Sequence, residues 1–259
     1  MYFLGTINAM SPIHVCSNPE ALYQQAAALF VRFASEAAST RGRFNVALSG
    51  GSTPRGVHKL LTEVGLRERI PWPQVHLFWG DERCVASTHP ESNYRMTEET
   101  LVTRVPIPLE NVHRIPTEKA PLEAANDYEQ TIREAFALSK DNLPRFDLVF
   151  LGMGPDGHTA SLFPGTTVLR EGKRLVIAHC VEKLNAWRIT LTPPVLNNAA
   201  HVVFLVCGAD KASTLRKVLQ GPYQSDLFPA QLIRPVNGTL LWLVDQDAAS
   251  LLNNTEERV

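Results

Sequence analysis

Short apolar runs alternate with longer segments of helical periodicity along most of this chain. Compact apolar runs at 44–48, 75–79 and 202–206 predict buried β-strands. Between such runs, apolar residues recur at three- and four-residue spacing, as over 20–38 and 122–138, which predicts amphipathic helices. The alternation indicates an α/β fold: a mostly parallel, Rossmann-like sheet flanked by helices on both faces.

The weaker segments of the pattern complete this prediction. Further strands are expected at 14–17, 112–115, 148–151, 174–181, 187–191 and 239–244, and helices at 54–61, 93–101, 211–219 and 246–251. Residues 159–162 resemble the start of another helix. The strands at 174–181 and 187–191 are close enough to pair with each other as a small insertion. Because no linker or repeat interrupts the pattern, we expect a single domain over 1–259 with its core at about 14–250.

Composition and charge restrict the class of protein. The chain has 259 residues, 44% of them apolar, and a net charge of −1. We therefore expect no nucleic-acid partner and no membrane association, since no general positive field exists and no apolar run reaches about 18 residues. Residues 1–10 lack the basic region of a signal peptide. These features together predict a cytoplasmic protein.

The four cysteines, Cys16, Cys84, Cys180 and Cys207, are far apart in the sequence. Their spacing matches neither a zinc site nor a disulfide framework. No cluster of histidine, cysteine and carboxylate residues has the spacing of metal ligands, so we expect no metal.

The most distinctive stretch follows the predicted strand at 148–151. Three glycines within 152–157 allow a sharp turn and a close approach to a ligand. Their spacing fits the dinucleotide fingerprint G-x-G-x-x-G. However, Asp156 would put a carboxylate where the pyrophosphate should lie, and the nearest acidic residue that could bind a ribose, Glu182, comes too late in the chain.

The same turn presents Asp156 and His158. An imidazole titrates near neutral pH, so His158 can accept a proton from water, and the nearby carboxylate can orient its ring or bind a hydroxyl. The other seven histidines lack a comparable glycine turn, and we interpret them as structural or solvated.

Three further strand ends carry polar residues. The loop Gly50, Gly51, Ser52 and Thr53 precedes a helix, where backbone N–H groups suit a phosphate, although an ordinary capped turn has the same composition.

Two charged segments complete the set of candidates. Asp81 and Arg83 end the strand at 75–79 and either form a solvated ion pair or converge on a ligand. Lys211 begins a helix after the strand at 202–206 and can bind phosphate as a point charge, and Arg188 can point into the same cleft. Either cation alone would also be an ordinary surface residue, and we prefer Lys211 to Arg188 as the phosphate ligand.

Taken together, these segments resemble the 6-phosphogluconolactonase family. The resemblance covers about residues 14–250 and is carried by five motifs, at 49–54, 81–94, 152–164, 188–192 and 208–212. One departure is Ala86, where the family pattern leads us to expect proline. Each motif alone is modest, and their order makes the match specific.

The resemblance implies hydrolysis of 6-phospho-D-glucono-1,5-lactone to 6-phospho-D-gluconate, the second step of the oxidative pentose phosphate pathway, by a carboxylic ester hydrolase without cofactor. Glucosamine-6-phosphate deaminase is similar in fold, but that enzyme carries a carboxylate, usually Glu, five residues after its histidine. Phe163 occupies this position here. A sugar-phosphate isomerase or deaminase, and a sugar-phosphate sensor on the same fold, remain the alternatives. The expected partner is a phosphorylated sugar lactone, and the expected state is a monomer or weak homo-oligomer.

Overall fold

A computed structural model describes residues 12–253, so the predicted absence of a signal peptide at 1–10 lies outside the described residues. Within that range nine strands are formed. They are β1 (Ile13–Cys16), β2 (Phe44–Leu48), β3 (Val75–Trp79), β4 (Asp81–Arg83), β5 (Leu148–Leu151), β6 (Val176–Val181), β7 (Ala186–Leu191), β8 (His201–Val206) and β9 (Thr239–Asp245).

Eight α-helices connect or follow the strands of the described chain. They are α1 (Pro19–Arg41), α2 (Ser52–Leu61), α3 (Val64–Arg67), α4 (Asn93–Thr100), α5 (Pro121–Ala135), α6 (Pro193–Asn197), α7 (Ala212–Gln220) and α8 (Gln246–Ala249). The longest, α1, shows why these segments become helical: Asn18 caps it by accepting from the Ala21 N–H, and Gly42 ends it in the left-handed region at φ 70°.

Six strands form one parallel sheet in the order β1-β9-β8-β5-β2-β3. The chain moves outward from β2 to β3 and then returns to the other side of β2 to continue with β5. The order of the strands therefore reverses between β2 and β5, and the carboxyl ends of those two strands flank the crevice where open α/β sheets bind ligands. The predicted parallel sheet with flanking helices is confirmed.

A second, antiparallel sheet contains β4, β7 and β6. The predicted pair at 174–181 and 187–191 exists, with Cys180 opposite Trp187. The charged segment Asp81–Arg83, predicted only as the end of the strand at 75–79, forms a separate strand, β4, that pairs along β7. This pairing fixes three charged residues against one edge of the crevice.

Two predicted elements were wrong. The strand at 112–115 is reduced to one bridge, between Val112 and Leu77, and Pro116 lacks the N–H that would continue a ladder. Residues 159–162 form a turn rather than a helix, because Ala160 adopts φ 47° in the left-handed region and Thr159 bridges to Leu162.

The core lies between the sheet and its helices and extends to the edge of the site. Tyr128, on α5, is fully buried, and its hydroxyl accepts from the Trp79 N–H and donates to the Trp79 carbonyl. Helix α5 thereby holds the end of β3, directly before Asp81. No helix in the described part of the chain is long and apolar enough to cross a membrane.

Candidate active site

The candidate site occupies the crevice at the reversal of the strand order. The residues that follow β2 and β5 meet there, and β4 closes one side. Two neighbouring cavities, of about 330 Å³ and 150 Å³, share the side chains of Asp81, Arg83 and His158. Five predicted site residues, these three with Asp156 and Arg188, line the larger cavity, and Gly50 lines the smaller one.

Asp156 and His158 form the closest polar contact in the site. The Asp156 Oδ1 lies 2.5 Å from His158 Nδ1, and the hydrogen bond with His158 lowers the pKa of Asp156 to about 2. An ionised carboxylate only accepts hydrogen bonds, so the proton of a neutral His158 is assigned to Nδ1. The lone pair of the imidazole is then on Nε2, which is the arrangement of a general base.

The turn that carries this pair is held by its own hydrogen bonds. The Gly154 N–H donates to the His158 carbonyl at 2.9 Å, and the Thr159 hydroxyl donates to the Gly152 carbonyl at 2.8 Å. A Cβ at Gly154 would overlap the His158 ring. The glycine spacing that resembles a dinucleotide fingerprint therefore makes room for an imidazole.

Asp81 is buried and is held by two polar side chains. Ser161 Oγ donates to Asp81 Oδ2 at 2.6 Å, and Asn93 Nδ2 donates to the Asp81 carbonyl at 3.0 Å. The Asp81–Arg83 ion pair, one of the two alternatives for this segment, is not formed. Asp81 and Arg83 are two residues apart on β4, so their side chains lie on the same face of the strand. Instead of contacting each other, Asp81 accepts from Ser161, and Arg83 Nη1 donates to the Glu91 carbonyl at 2.6 Å.

The middle residue of the charged segment, Glu82, has a structural role. It is buried, and its carboxylate accepts from the backbone N–H groups of Arg83, Asn93 and Tyr94 and from the Ser92 hydroxyl. Burial raises the pKa of Glu82, while these backbone hydrogen bonds act to lower it. Glu82 thus anchors the N-terminus of α4 to β4, as acidic groups commonly do at helix N-termini.

Arg83 and Arg188 lie directly opposite each other on β4 and β7. Within residues 12–253, neither guanidinium forms a salt bridge with a carboxylate, and each donates to a backbone carbonyl. Burial, followed by the charge of Arg83, lowers the pKa of Arg188. Two neighbouring cations in one cavity make a site suited to an anion, because their mutual repulsion is relieved when an anion binds between them.

Most of the loop at 50–53, and Lys211, do not line the two cavities that contain His158. Helix α2 begins at Ser52, and Gly51 provides no side chain to cap its first N–H groups, so they remain available to an anion. Of this loop, Gly50 alone lines a cavity that contains His158. Lys211 lines neither of those cavities, and its Nζ lies 2.6 Å from Asp210 Oδ2.

Other residues of the site were not predicted as functional. Asn93 and Ser161 hold Asp81, and Lys183, at the turn between β6 and β7, lies 3.8 Å from Asp156. No sequence feature pointed to Ser161 as a partner of Asp81, because the pattern predicts a helix at 159–162. Lys183 could have been found from its place between two strands predicted to pair. No group of three or more potential metal ligands occurs within residues 12–253.

Comparisons with known proteins agree with this architecture. The model of the family described as glucosamine-6-phosphate isomerases/6-phosphogluconolactonase matches residues 17–242. A 6-phosphogluconolactonase of Synechocystis sp. is 39% identical over 245 residues, which cover 94% of this chain and 99% of that protein. One of Nostoc sp. is 39% identical over 243 residues, covering 93% and 98%. The solved 6-phosphogluconolactonase of Trypanosoma cruzi superposes with a TM-score of 0.84 at 29% identity, covering 96% and 99%.

Proposed function

Because this chain belongs to the glucosamine-6-phosphate isomerase/6-phosphogluconolactonase family, we propose that it hydrolyses 6-phospho-D-glucono-1,5-lactone to 6-phospho-D-gluconate, with His158 as the general base. The observation that carries the proposal is the Asp156–His158 contact of 2.5 Å. It fixes one nitrogen of the imidazole and leaves the other, Nε2, with a lone pair. The base therefore needs no rearrangement before it accepts a proton.

The reaction follows from this geometry. His158 Nε2 removes a proton from water while the water oxygen bonds to C1 of the lactone. The negative charge that develops on the carbonyl oxygen is stabilised by Arg83, which lines both cavities with His158. The C1–O5 bond then breaks, and the proton on His158 passes to O5. Water and lactone are thereby converted to the free acid without any cofactor.

The 6-phosphate would be bound away from the reacting carbon. Its proposed partners are the first N–H groups of α2, at Gly51 to Thr53, together with Arg188 and Lys211. We now rank Arg188 above Lys211, the reverse of the order expected from the sequence, because Lys211 is already paired with Asp210. Asp81, held rigidly by Ser161, would accept a hydrogen bond from a sugar hydroxyl.

Hydrolysis is favoured over isomerisation or deamination within the family because of Phe163. The deaminase resemblance requires a carboxylate at this position, and the aromatic ring there packs against His158 instead. An aromatic side chain cannot transfer the proton that opening a sugar ring needs. A lactone is already an activated ester and requires only a base and a place for the oxyanion.

The test generates the lactone in situ and measures its hydrolysis as acid release above the spontaneous rate. We expect acceleration that is unchanged by EDTA, and glucosamine 6-phosphate should not be deaminated. Absence of acceleration would overturn the function, while inhibition by EDTA would overturn the cofactor-free mechanism alone. Ammonia release from glucosamine 6-phosphate would support the alternative.

A further inference from the structure

One buried polar atom in the site has no use in the mechanism above. Ser49 follows β2 directly, its side chain is only 6% exposed, and its Oγ has no hydrogen-bond partner within the described residues. A buried hydroxyl without a partner is costly, since its hydrogen bonds to water are lost on folding and not replaced. Such a group calls for an explanation.

The position of Ser49 suggests that a ligand supplies the missing partner. Two other buried atoms without partners, Arg43 Nη2 and Trp79 Nε1, belong to residues that line neither cavity containing His158. Ser49 does line one of them, the cavity of about 150 Å³, beside Asp81 and Asn93. Ser49 is therefore the one of these three residues that lines the candidate site.

No neighbour among the described residues satisfies this hydroxyl. On the β3 side, the carbonyl of Leu48 already accepts from the Gly80 N–H at 2.9 Å. On the loop side, the Asn93 carboxamide packs so closely on Gly50 that a Cβ there would overlap it. Asn93 itself donates to the Asp81 carbonyl. Neither neighbour exchanges a hydrogen bond with the Ser49 hydroxyl.

We propose that Ser49 is a substrate-binding residue whose hydroxyl exchanges a hydrogen bond with one ring hydroxyl of the sugar lactone. The inference rests on the proposed lactonase function and extends it to a residue that recognises the sugar. A serine hydroxyl both donates and accepts, which suits an alcohol. Asp81 provides a rigid acceptor beside it, so the wall of the cavity offers the mixed polar set that sugar hydroxyls require. The phosphate is assigned to the cations and to α2.

Replacement of Ser49 by alanine separates this role from a structural one. In the free protein Ser49→Ala removes an unsatisfied group, so we expect the melting temperature to stay equal or to rise by about 2–4 °C. Toward the lactone we expect kcat/KM to fall about tenfold, mainly through KM, because the lost contact is to a ring hydroxyl that does not react. Ser17→Ala, at an exposed loop position, is the control and should change neither quantity.

Deoxy lactones then identify the contact. Wild type and Ser49→Ala are compared on the 6-phospholactones that lack the hydroxyl at C2, C3 or C4. If Ser49 binds one of these groups, the tenfold difference between the two proteins disappears for that analogue and persists for the other two. Ser49→Gly replaces the alanine variant if circular dichroism reveals altered folding.

The outcomes are distinguishable. A wild-type protein that does not accelerate lactone hydrolysis overturns the proposed function and this inference with it. An active wild type with an equally active Ser49→Ala variant, or a tenfold difference that persists on all three deoxy lactones, overturns the inference and leaves the function intact.

Discussion

The imidazole of His158 lies against the ring of Phe163, with 4.3 Å between the ring centroids and 24° between the planes. Asp156 fixes the same imidazole at its Nδ1 edge. The base is therefore restrained both in its plane and across its face. Phe163, at the position where the deaminase resemblance expects a carboxylate, therefore contacts the imidazole directly, and we propose that it helps to orient His158.

The first prediction concerns this stack. Phe163→Leu keeps an apolar side chain but removes the aromatic face, whose pairing is worth about 0.5–1.5 kcal/mol. We expect kcat for lactone hydrolysis to fall by about 2- to 12-fold, with little change in KM. Steady-state kinetics check this, with Phe33→Leu, which removes a comparable stack on His201 away from the site, as the matched control. Equal kcat values for wild type and Phe163→Leu would contradict an orienting role.

The second prediction concerns the proton on His158. Asp156→Asn preserves size but replaces an ionised acceptor by an amide that can also donate, so the Nδ1–H form of His158 is no longer enforced. We expect kcat to fall about 10²-fold or more, toward the loss of about 10²–10⁴-fold expected for His158→Ala. Asp226→Asn, in an exposed ion pair with Arg170, is the control. A fully active Asp156→Asn variant would remove Asp156 from the mechanism.

The third prediction ranks the cations that bind the phosphate. Charge-assisted hydrogen bonds are worth about 1.5–3 kcal/mol, so Arg188→Met should raise KM by about 10- to 150-fold. Lys211→Met should raise KM by less, because Lys211 is already paired with Asp210 and lies outside the cavities containing His158. The comparison uses initial rates over a range of lactone concentrations. A larger effect at Lys211 would transfer the main phosphate contact to that residue.

Most of the fold could be predicted because its strands are buried on both faces. Such strands are continuous apolar runs, and the limits of β2 and β3 were predicted to the residue. The segment Asp81–Arg83 could not be assigned, since a strand of three charged residues has no apolar pattern. Its strand character comes from pairing with β7, a contact between residues more than a hundred positions apart.

The site was predicted where its chemistry is local in sequence. Asp156 and His158 are two residues apart on one glycine turn, so their contact could be anticipated. The hydrogen bond from Ser161 to Asp81 could not be predicted, because it joins residues 80 positions apart. It also depends on Ala160, whose left-handed backbone directly precedes Ser161. The positions of Ser49 and Lys183 in the candidate site likewise depend on contacts between residues far apart in the sequence.

The fourth prediction is a loss of stability in mild acid. Burial, followed by the charge of Arg55, lowers the pKa of His58 to about 3, and burial lowers the pKa values of His76 and His113 to about 4. Unfolded histidines titrate near 6.5 and bind protons that the folded protein excludes, so stability decreases as the pH falls below about 6.5. His58 alone contributes a slope of about 1.4 kcal/mol per pH unit.

Urea unfolding between pH 6.5 and 5 measures this slope. His58→Gln should reduce it by about that amount, whereas His14→Gln, at an exposed position, should leave it unchanged. A slope that does not differ between wild type and His58→Gln would mean that His58 is not excluded from protonation in the folded protein.

The fifth prediction concerns the brace between α5 and the end of β3. The Tyr128 hydroxyl satisfies both backbone groups of Trp79, at 2.8 Å from the N–H and 3.0 Å from the carbonyl. Tyr128→Phe leaves both groups buried without a partner, which should lower the free energy of unfolding by about 1–3 kcal/mol. Tyr223→Phe, at an exposed position, is the matched control and should be neutral. Because Trp79 directly precedes Gly80 and Asp81, we also expect kcat/KM to fall in Tyr128→Phe at temperatures well below its unfolding transition. Loss of stability with unchanged kinetics would confine Tyr128 to the core and separate it from the positioning of β4.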